Sequence, residues 1–333
     1  AGEACDDRTH EAVRRSRPVR AAVDAIWPKV DPVRLVFGLL SSAAVLAEAA
    51  EGVLTAAEQA AITWPAAQSK AVRGPGSARW SAADAVLIDE ARDLVSRTPS
   101  LAHVVVDEAQ DLSPMECRAL GRRCSTGSAT VLGDLAQGTT PWAASSWPSL
   151  LANLGKPDTG VRELSVGYRV PRQILDYAST LLEVIAPELK PASSLRADPG
   201  ALSLTRVTAG SLGGALAAAC RQACARPGSV AVIAADPQVP ELGRALDRAG
   251  VGYGTPGEDA TLTLVPVTMA KGLEYDHVIV VEPARIAGAE ARGLQRLYVA
   301  LTRAVSRLTV LYSEPLPAPL PAAAQLPPAR ASS

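Results

Sequence analysis

The chain has 333 residues, a formal net charge of −1, 48% apolar and 20% charged residues, a length that suits about two domains of ~100–200 residues with a sizeable core. The composition is that of an ordinary globular protein, and the near-zero charge gives no global sign of a nucleic-acid partner. No apolar run approaches the ~18 residues of a membrane span, and the first residues, AGEACDDRTHEAVRR, lack the apolar core of a signal peptide.

In chain order, residues 11–97 read mostly as helix. The segment RTHEAVRRSRPVR (8–20) carries five arginines against one glutamate, which suits either a solvated helix face or a patch for phosphates. DPVRLVFGLLSSAAVLAEA places apolar residues at helical spacing behind an Asp31-Pro32 start. GPGSARW (74–80) interrupts the pattern. Ser81 and Asp84 then form a capping box ahead of a helix with apolar residues at 86, 87, 91, 94 and 95.

From 99 the texture changes. HVVVDEAQDL (103–112) is a β-branched run that predicts a buried strand. SPMECRALGRR (113–123) opens a helix with Ser113 as cap and Pro114 in its first turn, and ATVLGD (129–134) predicts a second strand. Strand, helix and strand at this spacing argue for parallel βαβ architecture. The pattern then returns: a strand at 229–236, a helix ending at Gly250, two strands around a polar loop within 262–283, and a helix and strand in RGLQRLYVALTRAVSRLTVLYSE. HVVVDE and HVIVVE echo one another, as two related α/β units would. The five cysteines, Cys5, Cys117, Cys124, Cys220 and Cys224, form no CxxC pair and no zinc site. They read as small buried residues in a protein of the reducing cytoplasm.

Asp-Glu occurs twice after apolar residues, as VLIDEARDL (86–94) and VVVDEAQDL (104–112). Asp89 and Glu90 fall inside a capped helix, which offers no strand-end cleft, so a packing role is expected. Asp107 and Glu108 end a strand, where parallel sheets collect ligands. An Asp there can hold magnesium through water, and a Glu beside it can orient or deprotonate an attacking water. Downstream, VLGDLAQ ends a strand with Asp134 and places Gln137 after it. SVGYRVP presents Arg169 and YVALTRA presents Arg303, guanidinium groups of the kind that stabilise a transferring phosphoryl group. TMAKGLEYD (268–276) sets Gly272 near a carboxylate, Glu274, in an inter-strand loop.

This ordered set resembles the UvrD/Rep-type superfamily-one helicases. VVVDEAQDLSP resembles their motif II, VLGDLAQGTTPW motif III, LSVGYRVP motif IV, VTMAKGLEYDHVIVVE motif V and RLYVALTRA motif VI. DEAQDLSPMECRALGRRC, RLYVALTRAVSRLTVLY, AIWPKVDPVRLV and RWSAADAVLIDEARDLV are similar to the actinobacterial HelD type, a helicase-like ATPase that binds RNA polymerase.

The resemblance implies an α/β fold of RecA-like parallel sheets flanked by helices, the first incomplete and the second complete, behind a helical N-terminal region. It divides the chain into a mostly helical region (1–98), the C-terminal half of a first RecA-like domain (99–158), a second RecA-like domain (159–313) and a disordered Pro/Ala-rich tail (314–333). It implies ATP and Mg2+ as cofactors, with Asp107 as metal ligand and Glu108 activating water. Gln137 would couple the γ-phosphate to the nucleic-acid groove, Arg169 and Arg303 would be arginine fingers, and Glu274 would meet the ribose. Asp134 and Gly272 would also lie at the nucleotide, and Thr268 at nucleic acid. Trp142 stands where the family stacks an aromatic on a base, the other reading being a core tryptophan.

One departure matters. The phosphate loop G-x-x-x-x-G-K-[ST] is not in the sequence. The expectation is therefore the C-terminal part of a longer protein, inactive by itself, without the backbone N–H groups and lysine that cradle a triphosphate. Three readings follow: part of an ATP-dependent DNA helicase or translocase, a HelD-like ATPase that remodels RNA polymerase, or a non-catalytic fragment.

Overall fold

A computed structural model describes residues 7–65 and 74–322. Cys5, residues 66–73 of the expected helical stretch and 323–333 of the expected tail lie outside the described residues. The chain forms two compact units: residues 1–104 with 115–129, and residues 105–114 with 130–333.

The first unit is mainly helical. Its helices are α1 (Asp7–Arg15), α2 (Arg17–Ile26), α3 (Pro32–Ser41), α4 (Ala43–Ala49), α5 (Ala56–Ile62), α6 (Ala82–Val95) and α7 (Pro114–Arg123), the last beginning one residue before the unit does. Asp31 caps α3 as expected, accepting from the N–H groups of Val33 at 2.9 Å and Arg34 at 3.2 Å. The single helix expected over 31–49 breaks at Ser42, where α3 and α4 meet at a bend of 107°. Ser42 is extended, and its hydroxyl caps the next helix at Val45 N–H, the local competition that makes serine a helix starter. Among the described residues no single helix is long and apolar enough to cross a membrane.

The Ser81–Asp84 capping box starts α6 as expected. Val36, Leu40 and Ala91 are buried with Trp64, Trp80 and Ile88 packed against them, and Trp64 meets Phe37 and Trp80 edge-on. Asp89 and Glu90 leave α6 toward the arginines of α7. Asp89 pairs with Arg122 at 2.7 Å and Arg123 at 2.5 Å, and Glu90 with Arg118 at 2.6 Å and with Arg122. The Arg123 guanidinium holds the Asp89 carboxyl down at about 2, with Arg122 assisting against a smaller opposing effect of burial. This copy of the Asp-Glu motif is an ion-pair clamp between two helices. In α1, Arg14 and Arg15 pair with Glu11.

Strands β1 (His103–Val106) and β2 (Ser128–Val131) form a two-stranded sheet. Their bonds advance together, Ser128 N–H to the Ala102 carbonyl and Leu132 N–H to that of Val106, so the expected parallel β-α-β order is present. Two readings need correction here. The β-branched run stops being strand at Val106, and the residues after Glu108 turn into a short 3-10 helix, Ala109–Asp111. Nor is β1 buried throughout: Val106 is inside but Val105 is 65% exposed, because with two strands the sheet lacks the covering layers that bury both faces of a parallel sheet.

The rest of the second unit is built on α8 (Trp147–Asn153), β3 (Val166–Gly167), α9 (Arg172–Ser179), α10 (Leu182–Ile185), β4 (Ser193–Ser194), β5 (Leu202–Arg206), α11 (Leu212–Cys224), β6 (Val230–Ala234), α12 (Val239–Arg248), β7 (Leu262–Pro266), β8 (Tyr275–Val281), α13 (Pro283–Gly288), α14 (Gly293–Leu301) and β9 (Ala304–Tyr312). β3 and β4 pair briefly in parallel. The main sheet has five parallel strands in the order β5-β9-β8-β6-β7. Interior β6 is buried at every position, which is why VAVIA is an unbroken apolar run rather than an alternating one. Ala231 and Ile233 face one core with Ile174, Leu181 and Leu297, while Val230, Val232 and Ala234 face another with Leu216 and Leu246. The fold is thus mixed α/β, with parallel sheets flanked by helices.

The echo between HVVVDE and HVIVVE reaches the backbone. Glu108 and Glu282 follow β1 and β8, and they are the two non-glycine residues with positive φ among those described, at 53° and 48°. Glu282 is buried and accepts from the Ser313 N–H and hydroxyl. Cys117, Cys124 and Cys220 are buried as expected, but Cys224, at the end of α11, is exposed. The start of the expected tail packs: Glu314 pairs with Arg285 and Leu320 is buried in the core.

Candidate active site

The second unit gathers most of the sequence-predicted residues. At the end of β1, Asp107 is exposed and its carboxylate accepts the Glu108 N–H at 2.9 Å. Glu108 sits in the left-handed region, a conformation that costs a non-glycine residue about 1–3 kcal/mol and persists where the surroundings enforce it. The enforcing groups are at hand. Gln110 donates its amide to Glu108 Oε2 at 2.6 Å, and Lys271 Nζ lies 3.2 Å from the same oxygen.

Gln110 is fully buried and also accepts the Asp134 N–H at 3.0 Å, tying the turn after β1 to the end of β2. This requires Gly133: a Cβ there would stand 2.5 Å from the Gln110 side-chain Oε1. Asp134 caps the 3-10 turn Leu135–Gln137 through the Ala136 N–H and receives the Gln137 amide at 3.0 Å. Burial raises the Asp134 pKa, outweighing those hydrogen bonds.

Gln137 uses its other end on Arg303, whose Nη2 donates to Gln137 Oε1 at 3.1 Å. Arg303 follows α14 and is 3% exposed. Its remaining donors reach the Val299 and Leu273 carbonyls and the Thr302 hydroxyl. Among the described residues it makes no ion pair. Burial, and after it the nearby Arg169 guanidinium, lower its pKa. Arg169 is half-exposed and is paired with Glu274.

The register explains the grouping. Tyr275 and Ala304 are partners at the amino ends of β8 and β9, so Glu274 and Arg303, which precede them, fall at one sheet end. Thr268 follows β7, whose last residue, Pro266, pairs with Ala234 at the carboxyl end of β6. Its hydroxyl donates to Asp236 at 2.6 Å. The structure therefore groups Glu108, Asp134, Gln137 and Arg303, sets the Arg169–Glu274 pair beside Leu273 and Arg303, and pairs Thr268 with Asp236. Gly272, with φ of 77°, turns the crossover between β7 and β8 toward Glu274.

Trp142 is no core tryptophan. It is 54% exposed, and its indole N–H donates to the Asp111 carbonyl at 2.9 Å. Arg292, just before α14, brackets its loop through the Gly138 carbonyl at 3.1 Å and the Ala143 carbonyl at 3.0 Å.

Sequence reasoning missed Gln110, Asp111, Lys271 and Arg292. Lys271 is 17% exposed and bonds Asp111, the Gln137 carbonyl at 3.0 Å and Glu108. Its only signal was its place inside AKGLE. Among the described residues no group of three or more His, Cys, Asp or Glu is placed to hold a metal. The donor set therefore suits magnesium only as that ion is commonly held, by one or two carboxylates together with phosphate oxygens.

Residues 261–311 match the family model of the UvrD-like helicase C-terminal domain. The C-terminal domain of a possible DNA helicase from Lactobacillus plantarum WCFS1 aligns at 23% identity and a TM-score of 0.37, over 46% of this chain and 91% of that one. An Arterivirus nonstructural protein 10 (helicase), solved with DNA, aligns at 18% identity and a TM-score of 0.35, over 66% of this chain and 41% of its own. No curated protein matches the sequence.

Proposed function

We propose that this chain carries the water-activating and phosphate-sensing side of a superfamily-one helicase or translocase motor driven by ATP. The observation that carries the reading is Arg303: a guanidinium 3% exposed, with no carboxylate partner among the described residues, held against Gln137. Glu108, Glu274 and Asp134 favour its charge without an ion-pair contact. Burying a cation in this way costs several kcal/mol, and a phosphate oxygen is the contact that would offset it.

The neighbouring groups fit that anion. Arg169 is available once its exposed pairing with Glu274 is exchanged for phosphate, since half-exposed ion pairs are worth little. Glu108 is positioned by Gln110 to orient an attacking water, and Asp107 would hold Mg2+, which would neutralise charge on the phosphates. Gln137 connects Arg303 to Asp134, and its own segment leads to Trp142, whose exposed ring offers a face for stacking a base. The nucleic acid in this reading is DNA. The match of 261–311 to a UvrD-like helicase C-terminal domain supports the helicase part of this reading.

The test is ligand-dependent stability. In the protein supplied with a phosphate loop, Mg-ATP raises the Tm, as any ligand selective for the folded state does, and Arg303→Met abolishes the rise. Glu108→Gln keeps the rise, and it abolishes hydrolysis in the protein supplied with a phosphate loop. No shift at millimolar Mg-ATP, with Arg303→Met indistinguishable from the parent, overturns the proposal.

A further inference from the structure

Asp111 and Lys271 take no chemical step in the proposed reading, yet they form a densely bonded ion pair among the described residues. Asp111 is held from three sides. Its carbonyl accepts the Trp142 indole N–H at 2.9 Å. One carboxylate oxygen accepts the N–H groups of Thr139 at 2.8 Å and Thr140 at 3.1 Å. The other receives Lys271. Lys271 has three donors and no acceptor, and it finds three oxygens: that of Asp111, the Gln137 carbonyl and Glu108 Oε2.

The pair is mostly shielded, with side chains 17% and 19% exposed, so its charge-assisted bonds are stronger than those of a surface pair. Burial works to raise the Asp111 carboxyl, but Lys271 and the Thr140 and Thr139 amides outweigh it and hold it below the usual range. The two residues are far apart in sequence, one in motif II and one in the β7–β8 crossover, so the pair links two segments that no strand ladder joins.

We propose that the Asp111–Lys271 pair is a coupling element. It makes the 137–142 segment, which bears Gln137 and Trp142, open and close together with the 270–274 crossover that leads to Glu274, so that a ligand at Trp142 is registered at Glu108. Lys271 is a positioning residue here: it touches Glu108 but acts through where it holds the two segments. Only the identity of the ligand rests on the helicase reading; the coupling itself is a property of the free chain.

Hydrogen exchange on the whole chain decides between these. Lys271→Met speeds exchange of the Thr139 and Thr140 amides and of the Leu273 amide by about tenfold, as loss of a charge-assisted bond raises local opening. Strand 278–281 stays unchanged as the internal reference. Lys271→Arg, which keeps the charge and donors, restores both segments, a rescue that a merely space-filling lysine would not require. Asp111→Asn with Lys271→Met is no worse than Lys271→Met alone. In the parent, oligo(dT) protects both 139–143 and 270–275, and in Lys271→Met only the first. Acceleration of one segment without the other, or of neither, overturns the coupling. If oligo(dT) leaves 139–143 of the parent unprotected, nucleic-acid binding at Trp142 is wrong, and the free-chain exchange alone decides the coupling.

Discussion

At Arg303 stability and use pull against each other. Its guanidinium is buried with carbonyls and an amide as hydrogen-bond partners, with Glu108, Glu274 and Asp134 acting on it but making no ion pair, and neutral acceptors solvate a cation less well than water or a carboxylate in contact does. Arg303→Met therefore leaves the Tm of the ligand-free chain unchanged or higher while removing the Mg-ATP response. A clear loss of ligand-free stability, by more than about 2 kcal/mol, would make Arg303 a structural arginine instead. Gly133 is held to its identity by the same site. Gly133→Ala drives a Cβ into the fully buried Gln110, and overpacking of that kind costs about 1–3 kcal/mol. Chemical denaturation should show the loss, and Gly133→Ala combined with Gln110→Ala should recover part of it.

The helix pair α6–α7 and the strand pair β1–β2 make predictions at the scale of elements. Asp89 is held at about 2 by Arg123 and Arg122, well below its value of about 3.9 in an unfolded chain. A depressed pKa adds stability that is fully present above about pH 4 and is lost as pH falls through about 2. Acid titration of the parent should therefore loosen α7 from α6 across that window. Asp89→Asn should be weaker at neutral pH and lose less stability on acidification, and equal acid sensitivity in the two proteins would remove Asp89 from the account. The two sheets should also differ in exchange. β1 has one strand partner and an exposed Val105, whereas β8 lies between β9 and β6 with Val278–Val281 buried. Amides of 103–106 should exchange far faster than those of 278–281. Equal strong protection would contradict the view that the first sheet is incomplete.

At the scale of the whole molecule, the candidate chemistry is confined to one of the two units, since residues 105–114 belong with 130–333. The chain leaves that unit to form α7 and returns along β2. The first unit contributes the Asp89–Glu90 clamp and a tryptophan-lined core, and it adds nothing to the nucleotide side in this reading. In the proposed reading the same residues would serve a DNA translocase or a HelD-like ATPase acting on RNA polymerase, so the partner would be decided elsewhere than at Glu108 and Arg303. A strand-separation assay beside co-purification with RNA polymerase should therefore divide the two. Retention of polymerase without strand separation would replace DNA as the substrate of the motor while leaving the site intact.

The strand–helix–strand order, the buried β6, the helix starts at Asp31 and Ser81 and the strand-end position of Glu108 were legible from residue order. Each depends on chemistry within a few residues: apolar periodicity, β-branching, or a side chain capping its own helix. The two Asp-Glu copies separated on the same ground, one inside a capped helix and one ending a strand. The break at Ser42 was written locally too, but a run of apolar residues at helical spacing outweighed a single serine. What tertiary structure decided is what crosses the chain. Val105 is exposed because a two-stranded sheet has too few covering layers. Lys271 meets Asp111 because the crossover from β7 to β8 returns past the end of β1, and Arg303 is buried with no ion pair among the described residues because α14 carries it there. Such pairings join residues more than a hundred positions apart, where spacing carries no information and only the packed sheet sets the distance.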